Sequence, residues 1–107
     1  MTIQIDQLEK LLTKGPDSAV LRFSLGNLYL ATDPVQAAHH FEQATGLNPD
    51  YSAAWKMLGK AHTAAGNSDL ARTAYSRGIA VAELKGDVQA AKEMRVFLKR
   101  LNSSQPK

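Results

Sequence analysis

The stretch Pro49-Asp50-Tyr51-Ser52-Ala53-Ala54-Trp55-Lys56-Met57-Leu58-Gly59 decides the fold, because it has an earlier copy. That copy reads Pro16-Asp17-Ser18-Ala19-Val20-Leu21-Arg22-Phe23-Ser24-Leu25-Gly26, displaced by 33 residues. The displacement pairs Pro16 with Pro49, Asp17 with Asp50, Leu25 with Leu58 and Gly26 with Gly59. Further along, an offset of 34 pairs Ala37 with Ala71 and Phe41 with Tyr75, and brings Leu47 opposite Val81. The extra residue falls in the turn between the matched segments. A period of this size is the mark of stacked supersecondary units, each too small to bury its apolar face alone.

Punctuation divides the chain into six helices. The first is expected from about Ile3 to Lys14, with Leu8, Leu11 and Leu12 on one face and Gly15-Pro16 as its stop. The second, from about Ser18 to Ala31, is apolar nearly all round, which predicts a central position. Asp33-Pro34 then supplies a capping side chain and a first-turn proline for a helix running to about Leu47. Its Ala37, Ala38, Phe41 and Ala44 are expected inward. A fourth helix is expected over about 51–65 and, after the Gly66-Asn67-Ser68 turn, a fifth over about 69–84. Gly86-Asp87 stops the fifth and caps a sixth, about 88–101, with Val88, Ala91, Met94, Leu98 and Leu101 inward. Residues 102–107 are polar and predicted to fray. Short turns make neighbouring helices antiparallel, hence stacked hairpins. Ala and Leu together number 29 against eight Val and Ile, which favours helix over strand. The fold class is all-α.

The residues at these repeat positions resemble a known family. Trp55, Leu58, Gly59, Ala71 and Tyr75 have the types and spacing of the tetratricopeptide repeat, and Leu25, Gly26, Tyr29, Ala37, Phe41, Ala44 and Pro49 repeat the pattern. Small residues stand where helices cross closely, and large ones fill the adjacent holes. The resemblance implies an α-solenoid: a partial repeat over 1–18, repeats over 19–51 and 52–85, and a capping helix over 86–101, in one domain of 1–101. Four positions depart from the pattern. Arg22 stands in place of a large aromatic, His62 in place of Tyr, Gly78 in place of Ala and Glu83 in place of the closing Pro. The missing Pro lets the fifth helix run on by a turn.

Several functions are disfavoured by residue content. With no cysteine there is no disulfide framework, thiolate zinc site or cysteine nucleophile. His39 and His40 are adjacent, point about 100° apart on a helix and are expected to be exposed, while His62 reads as a packed crossing residue. No metal site is therefore expected. No nucleophile elbow, phosphate loop or metalloprotease motif is present, and Asp17, Asp33, Asp50 and Asp87 read as helix caps. The expectation is no enzyme, no catalytic residue, no cofactor and no small-molecule substrate. Apolar runs are far short of a membrane span, and no signal peptide is visible, so a cytoplasmic protein without a membrane partner is expected.

Charge is unevenly spread. Residues 1–50 carry three Lys or Arg against six Asp or Glu, and residues 51–107 carry ten against four. The basic half suits an acidic partner, nucleic acid or peptide, or is an ordinary solvated surface. Arg72, Arg77, Arg95, Lys99 and Arg100 would carry a nucleic-acid role, which is the rival reading.

In the family, the first helix of each repeat lines a concave groove. The resemblance places Val20, Phe23, Asn27 and Leu30 there from one helix, and Ala53, Lys56, Lys60 and Thr63 from the next. Gln89, Lys92, Val96 and Lys99 of the sixth helix would complete the surface. The groove would offer an aromatic anchor, an amide and several ammonium groups. That suits a protein or peptide partner with an acidic or carboxylate-ended segment. The family's clamp for chaperone tails matches only at Asn27, because Phe23 and Met57 occupy two other clamp slots, so that ligand is not expected.

Overall fold

The computed structural model describes residues 2–104. The last three residues of the expected frayed tail lie outside the described residues. Six helices follow in order: α1 Thr2–Lys14, α2 Ala19–Tyr29, α3 Pro34–Leu47, α4 Ser52–Ala64, α5 Ser68–Lys85 and α6 Val88–Ser104. α6 therefore continues three residues beyond its expected end. The all-α hairpin architecture stands as the sequence predicts.

Caps fix several of the helix starts. Ser18 Oγ accepts the Leu21 amide at 3.1 Å at the head of α2, and Asp33 Oδ1 accepts Gln36 N at 3.2 Å at the head of α3. Asp87 Oδ1 accepts Ala90 N at 3.2 Å over the first turn of α6. Two expected caps fall elsewhere. Asp17 lies one residue too early, and its carboxylate is taken by Arg22 in a two-pronged pair, Nε and Nη2 each 2.9 Å from an oxygen. Tyr51, not Asp50, is the N-cap of α4, with no side-chain cap bond. α5 ends at Lys85, four residues past Val81, and Gly86 caps it in the left-handed region at φ 75°. Without a proline at position 83, that extra turn forms.

The chain is a flat stack 18 Å thick, two helix layers deep. Each helix packs on the next, and α4 also touches α6. Two crossings repeat. The Phe41 ring lies flat against Gly26, so that a Cβ there would sit 2.5 Å from it. The Tyr75 ring covers Gly59 in the same way, with two ring carbons 2.6 Å from where a Cβ would be. Gly78 is closed by the Met94 sulfur and by Trp55 Cβ at 2.7 Å, which explains why alanine is missing there. Trp55 is 8 % exposed and donates from Nε1 to the Pro49 carbonyl at 2.8 Å.

The departures lie near the ends. α2 buries only Leu25 and Gly26 fully, and Val20 is 67 % exposed, so α2 is not central. Only α1 packs on its outer side, and α1 itself leaves Leu11 and Ile3 exposed. Val88 is also exposed, because it is the first residue of α6. Ala90, Ala91, Met94 and Leu101 face the core there, with Leu98 half-buried.

Replacing Trp55 with Ala should cost about 3–5 kcal/mol in chemical unfolding, through the cavity and the lost hydrogen bond. A Trp55→Ala protein melting within a degree or two of the parent would contradict the packing described here.

Candidate functional site

The expected groove positions lie on or beside α2, α4 and α6. Helical spacing sets Val20 and Phe23 on one helix and Ala53, Lys56 and Lys60 on the next. Phe23 is half-buried, with its ring 4.9 Å from Tyr51 and 5.7 Å from Phe41. Burial pushes the Tyr51 hydroxyl above its ordinary range. Ala53 and Leu30 are half-buried, while Val20, Asn27, Thr63 and Lys92 are exposed. Val96 and Lys99 are exposed on α6.

The lysines are less free than their sequence spacing suggests. Lys56 Nζ meets Glu93 Oε1 of α6 at 2.8 Å, and Gln89 Nε2 donates to the other Glu93 oxygen at 3.3 Å. These bonds, Lys56 first, hold the Glu93 carboxyl below its usual range. Lys60 Nζ lies 5.2 Å from the centroid of Phe97, and Arg100 approaches the same ring at 5.9 Å. Thr63 Oγ1 donates to the Gly59 carbonyl at 2.8 Å, which spends its donor on its own helix. Asn27 lines a shallow recess with Gln4, Gln7 and Leu8 of α1. Among the expected groove residues, Phe23 meets Tyr51, Lys56 and Lys60 reach α6, and Asn27 lines the α1–α2 recess. Their partners Tyr51, Glu93 and Phe97 were not anticipated. Glu93 had a faint signal, a carboxylate four residues after Gln89 on a helix face.

The histidines divide. His39 is exposed, but His40, expected at the surface, is buried. Its ring stacks on Tyr29 with centroids 5.5 Å apart, and its Nδ1 lies 3.1 Å from Arg22 Nη1. An arginine can only donate, so Nδ1 accepts and the ring is neutral. Arg22 thus fills the missing aromatic's place by bridging Asp17 and His40. Tyr29 in turn donates to Glu9 at 2.6 Å, and that bond pushes its hydroxyl up to about 12. His62 is buried, with Nδ1 unpartnered among the described residues. Among the described residues, no group of three or more His, Cys, Asp or Glu side chains is placed to hold a metal ion. No helix among them is long and apolar enough to cross a membrane.

Antiparallel helical hairpins, joined by aromatic-on-glycine crossings about one repeat apart, define an α-solenoid. The tetratricopeptide repeat family matches residues 31–94, and the chain belongs to that family, whose domains are generally protein–protein interaction modules. It is 50% identical over 101 residues to the TPR repeat-containing protein PA0015 of Pseudomonas aeruginosa, covering 94% of this chain and 96% of that one. It is also similar to the solution structure of protein BPP2914 from Bordetella parapertussis. There the TM-score is 0.79 at 40% identity, over 92% of this chain and 87% of that one. A 64-residue segment, 57% of this chain, is 41% identical to 7% of the anaphase-promoting complex subunit CDC16 of Saccharomyces cerevisiae.

The two buried histidines make acid stability testable. Burial holds both His40 and His62 below the ordinary imidazole range. For His40 the Arg22 guanidinium adds to the effect, and for His62 Glu42 opposes it. The unfolded chain therefore binds more protons below about pH 6.5. Stability should be full above that value and fall as the pH drops through it towards 5. The depressed carboxylates of Asp17, Asp87 and Glu93 act only lower, below about pH 4.5. Urea melts should show the fall between pH 7 and 5, and the pair His40→Gln with His62→Tyr should flatten it. An equal slope in parent and variant would contradict the neutral, buried rings.

Proposed function

We propose that the chain is a recognition module that holds a peptide segment of a protein partner in the α2–α4–α6 groove and catalyses no reaction. The observation that carries this reading is the half-buried Phe23–Tyr51 pair, an aromatic seat at the α2–α4 junction with exposed Val20 on its helix. An apolar side chain of a partner gains burial there, and the exposed lysines suit carboxylates beside it. Because Lys56 is already met by Glu93, acid recognition falls to Lys60, Lys92 and Lys99. Residues 86–101 act as the cap of the stack in this reading, which also carries a cytoplasmic setting that fractionation of source cells would test.

The basic half gives less support to nucleic acid than its charge count suggests. Arg72 is paired with Asp69 at 2.6 Å and donates to Asn102, and Arg95 is paired with Glu83. Phosphate binding would have to compete with these bonds.

Random displayed peptides panned against the whole chain provide the test. Enriched sequences should be acidic with an apolar residue, and should shift the amide resonances of α2 and α4 groove residues. Charge reversal of Lys60 and Lys92 to Glu should leave folding nearly unchanged. It should weaken binding on the order of tenfold, at about 0.2–1 kcal/mol per exposed pair plus repulsion. Peptides indifferent to both reversals would refute the concave site.

A further inference from the structure

The convex side holds a second recess, formed where α3 and α5 stand apart over α4. Trp55, Leu58 and His62 make its floor, Glu42 stands on the α3 wall, and Leu70 and Arg77 stand on the α5 wall. It encloses about 470 Å³, within the size range of ligand sites, and is open at the surface. Leu70, on the wall, is 52 % exposed above a buried apolar floor.

Two polar groups in this recess lack the partners that their counterparts have. Arg22, Arg72 and Arg95 each pair with a carboxylate. The Arg77 guanidinium makes no ion pair or hydrogen bond among the described residues, and its carbon lies 5.2 Å from the Trp55 ring centroid. That ring holds the cation in place without neutralising it. On the floor, His62 is 7 % exposed, yet its Nδ1 meets no donor or acceptor among the described residues. Buried polar atoms in native folds are nearly always satisfied, so an unpaired one calls for a partner. Glu42 on the opposite wall sets an acidic side against the basic one.

We infer that the α3–α5 cleft is a second docking site, taking an extended peptide segment of a protein partner that presents an aliphatic side chain next to a carboxylate. The aliphatic group rests on Leu58 and Leu70, and the carboxylate reaches Arg77. The segment's backbone N–H groups donate to the Glu42 carboxylate, and His62 forms part of the floor beneath the segment. An open-sided cleft admits a chain passing through it. Glu42 disfavours a run of phosphates, whereas one carboxylate on the Arg77 side avoids it. The site is independent of the concave reading.

The test pans random displayed peptides against a chain already carrying Lys60→Glu and Lys92→Glu, so that concave binders are removed. Acidic–aliphatic sequences should still be enriched. Arg77→Glu should weaken them at least tenfold, and so should Leu70→Arg, an exposed change that spares the core. Circular dichroism should show both variants folded. No enrichment, or enriched peptides indifferent to both changes, overturns the proposal. So does displacement of the peptides by acetate or free leucine alone, which would make the cleft a small-anion pocket. Binding of an oligouridylate that Arg77→Glu abolishes, without any peptide selected, would assign the cleft to RNA instead. The concave reading fails separately, if peptides selected on the parent chain ignore Lys60→Glu and Lys92→Glu.

Discussion

The close approach of an aromatic ring to a bare glycine backbone sets the geometry of the whole stack. Phe41 on Gly26 and Tyr75 on Gly59 each let two antiparallel helices cross at a distance that no side chain at the glycine would permit. Once α4 and α5 are that close, Trp55 Cβ comes to rest against Gly78 and Met94 of α6 closes the other side of it. The placement of α6 then brings Glu93 to Lys56 and Phe97 beneath Lys60. Both faces proposed for recognition follow from this chain of contacts. The proposed groove runs over α2, α4 and α6, and the cleft opens where α3 and α5 stand apart over α4.

Part of the charge is used inside the fold. Lys56 ties α4 to α6, Arg22 ties the head of α2 to α3, and Lys85 Nζ reaches back to the Asp50 carbonyl at 2.9 Å. Such pairs are partly exposed and individually modest, but they fix register between neighbouring repeats. They also thin out the basic half as a binding surface. What is left unpaired, Arg77 above all, is then more informative than the net charge.

Much of the fold was legible in the sequence because it rests on local signals. Turn residues, the capping Asp33 and Asp87, and the glycine–aromatic repeat depend on near neighbours or on an internal copy. The misread residues depend on contacts between distant segments. His40 is buried because Arg22 and Tyr29, on another helix, come to meet it. Asp17 is a nearer miss: Ser18, one residue on, is the cap, and Asp17 pairs with Arg22 instead. Val20 and Val88 are apolar but sit in the first turns of α2 and α6, where they stay exposed. In the candidate site, the groove positions of α2 and α4 came from the family's pattern. The Lys56–Glu93 pair, 37 residues apart, could not be read without knowing how α6 docks.

A double-mutant cycle across the second crossing tests this dependence most directly, with Gly59→Ala and Tyr75→Leu made singly and together and stability read from urea unfolding. In the parent, the added methyl group has no room beneath the ring and should cost about 1–3 kcal/mol. With the ring gone it should cost little or nothing, leaving a coupling of about 1 kcal/mol or more. Additive effects, agreeing within about 0.5 kcal/mol, would show that the ring and the glycine are not in contact and would contradict the account.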